Sequence, residues 1–143
     1  MTVKILGLDE IQRKLESLPD KMQQNVLASG NGAVARAIAK DMKQGLSGSI
    51  HPFRDAVKAS QNPRRRKTKG YIVGLRKPFS SLAHLFEFGT AERVQKSTGR
   101  RTGRMPAEPF MRPALEQMGS EKAAQIWAKA ASRAVERQLA KLK

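Results

Sequence analysis

The sequence predicts an α+β domain: a small antiparallel sheet packed by a long N-terminal helix and a C-terminal helix, with a long basic loop. Apolar and small residues recur at helical spacing from Met22 to Met42, and a second such pattern runs from about Pro109 or Pro113 to near Leu142. Between them, residues 56–60 and 71–75 are short alternating runs of strand character. At 143 residues with no cysteine, the chain is expected to be a single domain, 1–143. That length buries roughly two thirds of the unfolded surface, so neither disulfide nor metal is needed for folding.

Taken in order, Val3, Ile5 and Leu6 alternate loosely and suit an edge strand before Gly7. Asp9 precedes a helical pattern, Ile11, Leu15 and Leu18, which Pro19 ends, and Asp20 is placed to cap the next helix. In that long helix Val26, Leu27, Val34, Ile38 and Met42 share a face, and Gly45 supplies the stop. Its middle, Ser29-Gly30-Asn31-Gly32, costs about 1 kcal/mol per glycine relative to alanine, yet the segment still reads as helix. Ala28, Gly30, Ala33 and Ala37 form a narrow flank where another backbone can come close, within this subunit or from a neighbour.

Residues 46–53 are a turn-rich link with Gly48 and Pro52. The two strands then bracket residues 61–70, a hairpin tip carrying Arg64, Arg65, Arg66, Lys67 and Lys69. Pro78 ends the second strand, and His84-Leu85-Phe86-Glu87-Phe88 closes on Gly89-Thr90. As a strand, that run would turn Phe86 and Phe88 one way and Leu85 the other. Gly89 suits a positive φ and Thr90 can bond back to the turn. Residues 91–104 hold five cations, two glycines and the one branched aliphatic Val94, which reads as a loop too polar to order by itself. Pro106, Pro109 and Pro113 then make a rigid lead into the final helix, with Phe110 as the plug beneath it. That helix carries Ile126, Trp127, Ala130, Ala131, Ala134, Val135 and Leu139 on its apolar face, with a kink expected at Gly119-Ser120 and Trp127 as a core anchor.

Charge is the strongest compositional fact. The formal net charge is +16, and residues 63–104 hold twelve Lys and Arg against Glu87 and Glu92. A polyanion or an acidic partner is implied. Without cysteine, thiolate zinc, iron–sulfur clusters and thiol catalysis are excluded. No run of eighteen apolar residues occurs, and the first ten residues are too polar for a signal peptide, so a soluble protein kept inside a cell, with no membrane partner, is expected. His51 and His84 sit in no spaced metal motif, and Glu87 three residues after His84 is one ligand pair where zinc needs three or four. Residues 99–104 lack the Gly-Lys-Ser/Thr ending of a phosphate loop, and no nucleophile, acid and base trio stands out. No enzyme and no cofactor is expected.

A short helix, a long helix, a hairpin, Glu87-Phe88-Gly89-Thr90, a variable loop, and then Pro106-Ala107-x-Pro109-Phe110-x-Arg112-Pro113-Ala114-Leu115 make up an order that resembles the tail-completion or head-tail joining proteins of long-tailed phages, the small neck proteins of lambda-like siphophages. The resemblance covers almost the whole chain, and its specificity lies in the two motifs occurring in this order. It implies a structural virion protein, made in the bacterial host cytoplasm and located in the neck. There it would form a homo-oligomeric ring, six subunits fitting a sixfold tail, that joins the connector of a DNA-filled head to the tail tube. Other neck and tail proteins would be its partners. The motif residues Glu87, Phe88, Gly89, Thr90, Pro109, Phe110, Arg112 and Pro113 carry over as structural, none as catalytic. Candidate contacts with partners or with packaged DNA are Arg64, Arg65, Arg66, Lys67 and Lys69 of the tip and Arg100, Arg101 and Arg104 of the loop. The alternative is a basic nucleic-acid-binding protein using these same cations on phosphates; it is weakened because Tyr71, Phe79, Phe86 and Phe88 each suit a core better than base stacking.

Overall fold

Long helices dominate, with short paired strands between them, as an α+β chain requires. The structure, a computed structural model, describes residues 8–46, 51–65 and 67–141. The edge strand expected at Val3, Ile5 and Leu6, most of the link with Gly48, Arg66 and the helix end at Leu142 lie outside them. The elements are α1 (Leu8–Glu16), α2 (Asp20–Gly45), α3 (His51–Arg54), β1 (Val57–Gln61), β2 (Tyr71–Leu75), α4 (Ala83–Phe88), β3 (Arg93–Val94), β4 (Arg101–Gly103), α5 (Met111–Met118) and α6 (Ser120–Leu139). Strand β1 pairs with β2 and β3 with β4, in two separate two-stranded sheets. The described residues fall into two compact units, one within Met1–Ile38, Ala59–Val73 and Met118–Lys143, the other within Ala39–Lys58 and Gly74–Gln117.

In the first unit the core is built by helices. Leu18, Val26, Ala131, Ala134 and Val135 are buried together, with Ile11, Leu15, Met22, Trp127 and Leu139 packed against them. Those are the apolar stripes of three amphipathic helices, so helix formation and burial reinforce one another. Helix α2 starts one position earlier than a cap at Asp20 requires: the Met22 and Gln23 N–H groups donate to the Pro19 carbonyl, and Asp20 lies in the first turn, where its charge suits the helix N-terminus. Tyr71 and Val73 of β2 face Val34, Ala35 and Ile38 of α2 and Ala123, Ala124 and Trp127 of α6. Sheet, long helix and C-terminal helix thus meet as the sequence pattern requires.

The unfavourable glycines of α2 are explained by that meeting. A Cβ on Gly30 would stand 2.5 Å from the Trp127 Nε1, and one on Gly32 would stand 2.8 Å from the Tyr71 Oη. Two large side chains sit where any other residue would put a methyl, so close packing within the subunit outweighs the loss of helix propensity.

In the second unit, Met42, Leu46, Val57, Leu75, Phe86, Phe110 and Ala114 are buried, and Phe53 stacks edge-on to Phe79 and tilted on Phe86, both with ring centroids 4.6 Å apart. The link after α2 holds the one-turn helix α3, whose Arg54 donates from Nε to the Lys43 carbonyl and from Nη2 to the Leu46 carbonyl. A guanidinium there satisfies carbonyls the helix end leaves open.

Three expectations are corrected. Residues 83–88 are helix, not strand, so Phe86 and Phe88 do not share a face: Phe86 is buried, and Phe88 is 67% exposed. Phe88 is therefore not core either. Residues 91–104 are not featureless, because β3 and β4 form a short antiparallel hairpin with Arg93 opposite Gly103 and Val94 opposite Arg101. The last helix is broken outright at Gly119, whose φ of 58° and ψ of 168° no helical residue adopts.

Candidate functional site

Helix α5 begins at Met111, after Phe110, which has no side chain able to cap it. Its leading N–H groups would be orphaned unless an acceptor came from elsewhere. Glu87 supplies it. One carboxylate oxygen, Oε2, accepts from the Phe110 and Met111 N–H groups, and Oε1 accepts from the Arg112 N–H, each at 3.0 Å. The next residue, Pro113, has no N–H to satisfy. Each donor from Phe110 to Arg112 at this helix start therefore has an acceptor.

Glu87 is only 6% exposed. Burial pushes its carboxyl up, but the N–H donors of Met111, Phe110 and Arg112, joined by the Arg112 charge, together outweigh burial and hold the group below its ordinary value. His84, three residues earlier on α4, is exposed, and the donors that Glu87 meets at this helix start are backbone N–H groups.

Backbone bonds extend this clasp along both strands of chain. The Glu108 N–H donates to the Phe86 carbonyl at 2.8 Å, and the Thr90 N–H donates to the Met105 carbonyl at 2.9 Å. The Thr90 hydroxyl in turn accepts from the Met105 N–H at 2.9 Å. Gly89, at φ 70°, passes so close to the returning chain that a Cβ there would stand 2.8 Å from the Ala107 N and the Met105 O. Glycine is required twice over, by its dihedral angle and by its neighbours. Phe110, 1% exposed, plugs the clasp from below, while Pro109 and Pro113 are exposed.

The clasp closes the stem of an arm, residues 91–104, of which every residue is exposed. Arg100, Arg101 and Arg104 stand on it, and Arg101 meets Glu92 at 3.5 Å, an exposed pair of little energetic consequence. Inside the arm, Thr102 donates its hydroxyl to the Arg93 carbonyl and Gly99 donates to the Gln95 carbonyl.

The other basic cluster, in the first unit, is held differently. Pro63–Arg65 form a 3₁₀ turn started by the Arg64 N–H donating to the Asn62 Oδ1, and Lys69 has φ 50°. Asn31, from the middle of α2, donates through Nδ2 to the Thr68 and Lys69 carbonyls, each at 3.1 Å, and accepts at Oδ1 from the Trp127 Nε1 at 3.0 Å. One amide side chain thus ties hairpin tip, long helix and C-terminal helix together. Arg64, Arg65 and Lys67 are exposed beyond this anchor, and Lys69 is half-buried. Sequence reasoning missed Asn31; the signal was a polar residue between two helix-breaking glycines in an otherwise apolar and alanine-rich stretch. The role of Glu87 was also legible in principle, because a helix start whose cap position is Phe leaves its N–H groups to an acceptor from elsewhere. No family model, curated protein or solved structure matches the chain.

Proposed function

We propose that this chain is a structural protein of a tailed-phage neck, forming a ring that joins the head connector to the tail tube. The observation that carries this reading is the clasp. The two motifs that resemble the head-tail joining proteins are bonded through Glu87 to Phe110, Met111 and Arg112. Two sequence strings with a structural reason to occur as a pair are stronger grounds for the resemblance than either alone. The arm adds support: closed rings come from heterologous contacts, and fourteen exposed residues on a fixed stem suit a contact with the neighbouring subunit. Mass measurement of the native protein, alone and with assembled tails, tests this. A ring, hexameric if matched to a sixfold tail, is expected in at least one of the two samples. A monomer in both overturns the reading.

The alternative, a basic nucleic-acid-binding protein, draws on the exposed cations of tip and arm. In the neck reading those cations meet phosphates only weakly and without base selection, so tight, sequence-selective DNA binding by the isolated protein would favour the alternative.

A further inference from the structure

A groove of about 540 Å³ lies in the first unit, with Ala33 of α2 and Ala130 of α6 contributing its small residues and Arg36, Arg133 and Arg137 converging on it. Ser29, Ala33 and Ala130 are small, so the three arginines border an open space rather than a packed one. Arg137 donates from Nη2 to the Ser29 hydroxyl at 3.5 Å and from Nε to the Arg133 carbonyl at 3.3 Å, bonds that orient it and leave its charge uncompensated. Among the described residues none of the three arginines forms an ion pair. The wall holds one carboxylate among the described residues, Glu136, which also borders the Glu10 and Lys14 side of α6. Arg133 and Arg137, one helical turn apart, repel each other. Three arginines against one carboxylate leave the groove with excess positive charge, an arrangement that an external anion stabilises.

We infer that this groove is a phosphate-binding site for a nucleic-acid backbone, read without reference to base. Planar guanidinium forks match phosphate oxygens in pairs, which distinguishes this cluster from scattered lysines. The basic surface also continues beyond the groove. The point above Gly32 where a Cβ would stand is 2.8 Å from the Tyr71 Oη and 3.2 Å from the Arg36 Nη1, so Arg36 lies beside the first residue of β2, the strand that leaves the basic tip. Asn31 fixes that tip on the same helix. The unit as a whole carries sixteen Lys and Arg against six Asp and Glu. Cations at both the groove and the tip of one unit suit the repeating charges of a polynucleotide better than a single small anion. Among the described residues no aromatic side chain lines the groove, so base stacking is not part of this site. The site needs only the isolated subunit and is independent of ring formation.

The test is fluorescence anisotropy of a short labelled duplex of random sequence, titrated with the protein across a salt series. Replacing all three residues, Arg36→Gln, Arg133→Gln and Arg137→Gln, is expected to lower the slope of log affinity against log salt by about 0.9 for each phosphate no longer neutralised, and to weaken low-salt binding about tenfold or more. Single Arg→Lys changes keep the charge and remove the fork, so each is expected to retain the slope and bind several-fold more weakly. Circular dichroism and Tm establish that the triple variant is folded; if it is not, the lysine variants decide alone. Wild-type affinity and slope in the folded triple variant overturn the proposal, as does unchanged affinity in all three lysine variants. Loss of binding to a polyglutamate peptide with DNA binding intact also overturns it and assigns the groove to an acidic protein surface.

Discussion

The molecule has two basic hairpins with five cations each, and they are clamped at different places. The tip between β1 and β2 is tied at its carbonyls by Asn31, a side chain of the long helix. Among the described residues, the arm between Gly89 and Pro106 is fixed at its stem, and above Thr90 and Met105 its bonds run within the arm. Neither hairpin brings enough apolar surface to order itself by burial: the arm's Val94 is 54% exposed. In each case a polar clamp does the fixing instead, Asn31 for the tip and Glu87 with Thr90 for the arm. The tip therefore presents charges at set positions, whereas the arm presents them on a span clamped at its ends.

The largest effect is expected at Glu87. Glu87→Gln removes the charge and turns an amide N–H₂ toward backbone donors, costing about 3 to 4 kcal/mol, measured by urea denaturation at neutral pH. The wild type should show the same loss on acidification. Its folded carboxyl lies below the ordinary value of 4.5, so the stabilisation is complete above that value and disappears as pH falls from there through the lower folded one. The Gln variant should lack this acid limb; an identical limb in both proteins would assign it to other carboxylates.

Next is Asn31→Ala, which should convert the anchored tip into an unanchored one. It leaves the Trp127 N–H and two tip carbonyls without this partner and should cost about 2 to 3 kcal/mol. Trypsin should also begin to cut at Arg64, Arg65 and Lys67, which in the wild type should be slower sites than the arm. Unchanged cleavage at the tip would mean that the turn from Asn62 suffices by itself.

The smallest effect belongs to Thr90→Val, which deletes one stem bond and should lower stability by about 1 kcal/mol while speeding trypsin at Arg93, Lys96, Arg100, Arg101 and Arg104. In the neck reading those arm sites are the first cut in the free protein and resist in assembled particles. Equal resistance in both states would show that the arm is already a packed part of the subunit.

By itself the sequence determined the features that depend on local spacing. Ile11 and Leu15 marked α1, the stripe from Val26 to Met42 marked α2, alternation at Tyr71 and Val73 marked β2, and the run Ile126 to Leu139 marked α6. Gly89 was legible as a positive-φ position and Phe110 as a plug because each follows from what one residue type permits. Tertiary structure alone decided the rest. Residues 83–88 became helix with Phe88 exposed, since in a six-residue apolar run the period cannot distinguish strand from helix until a partner selects the face. The glycines of α2 acquired their reason only when Trp127 and Tyr71, distant in sequence, came down on them. Glu87 and Asn31 found their donors and acceptors 23 to 96 residues away along the chain. A side chain's hydrogen-bonding capacity is a property of its residue type, but the partner that meets it is set by which backbone groups folding leaves unsatisfied nearby.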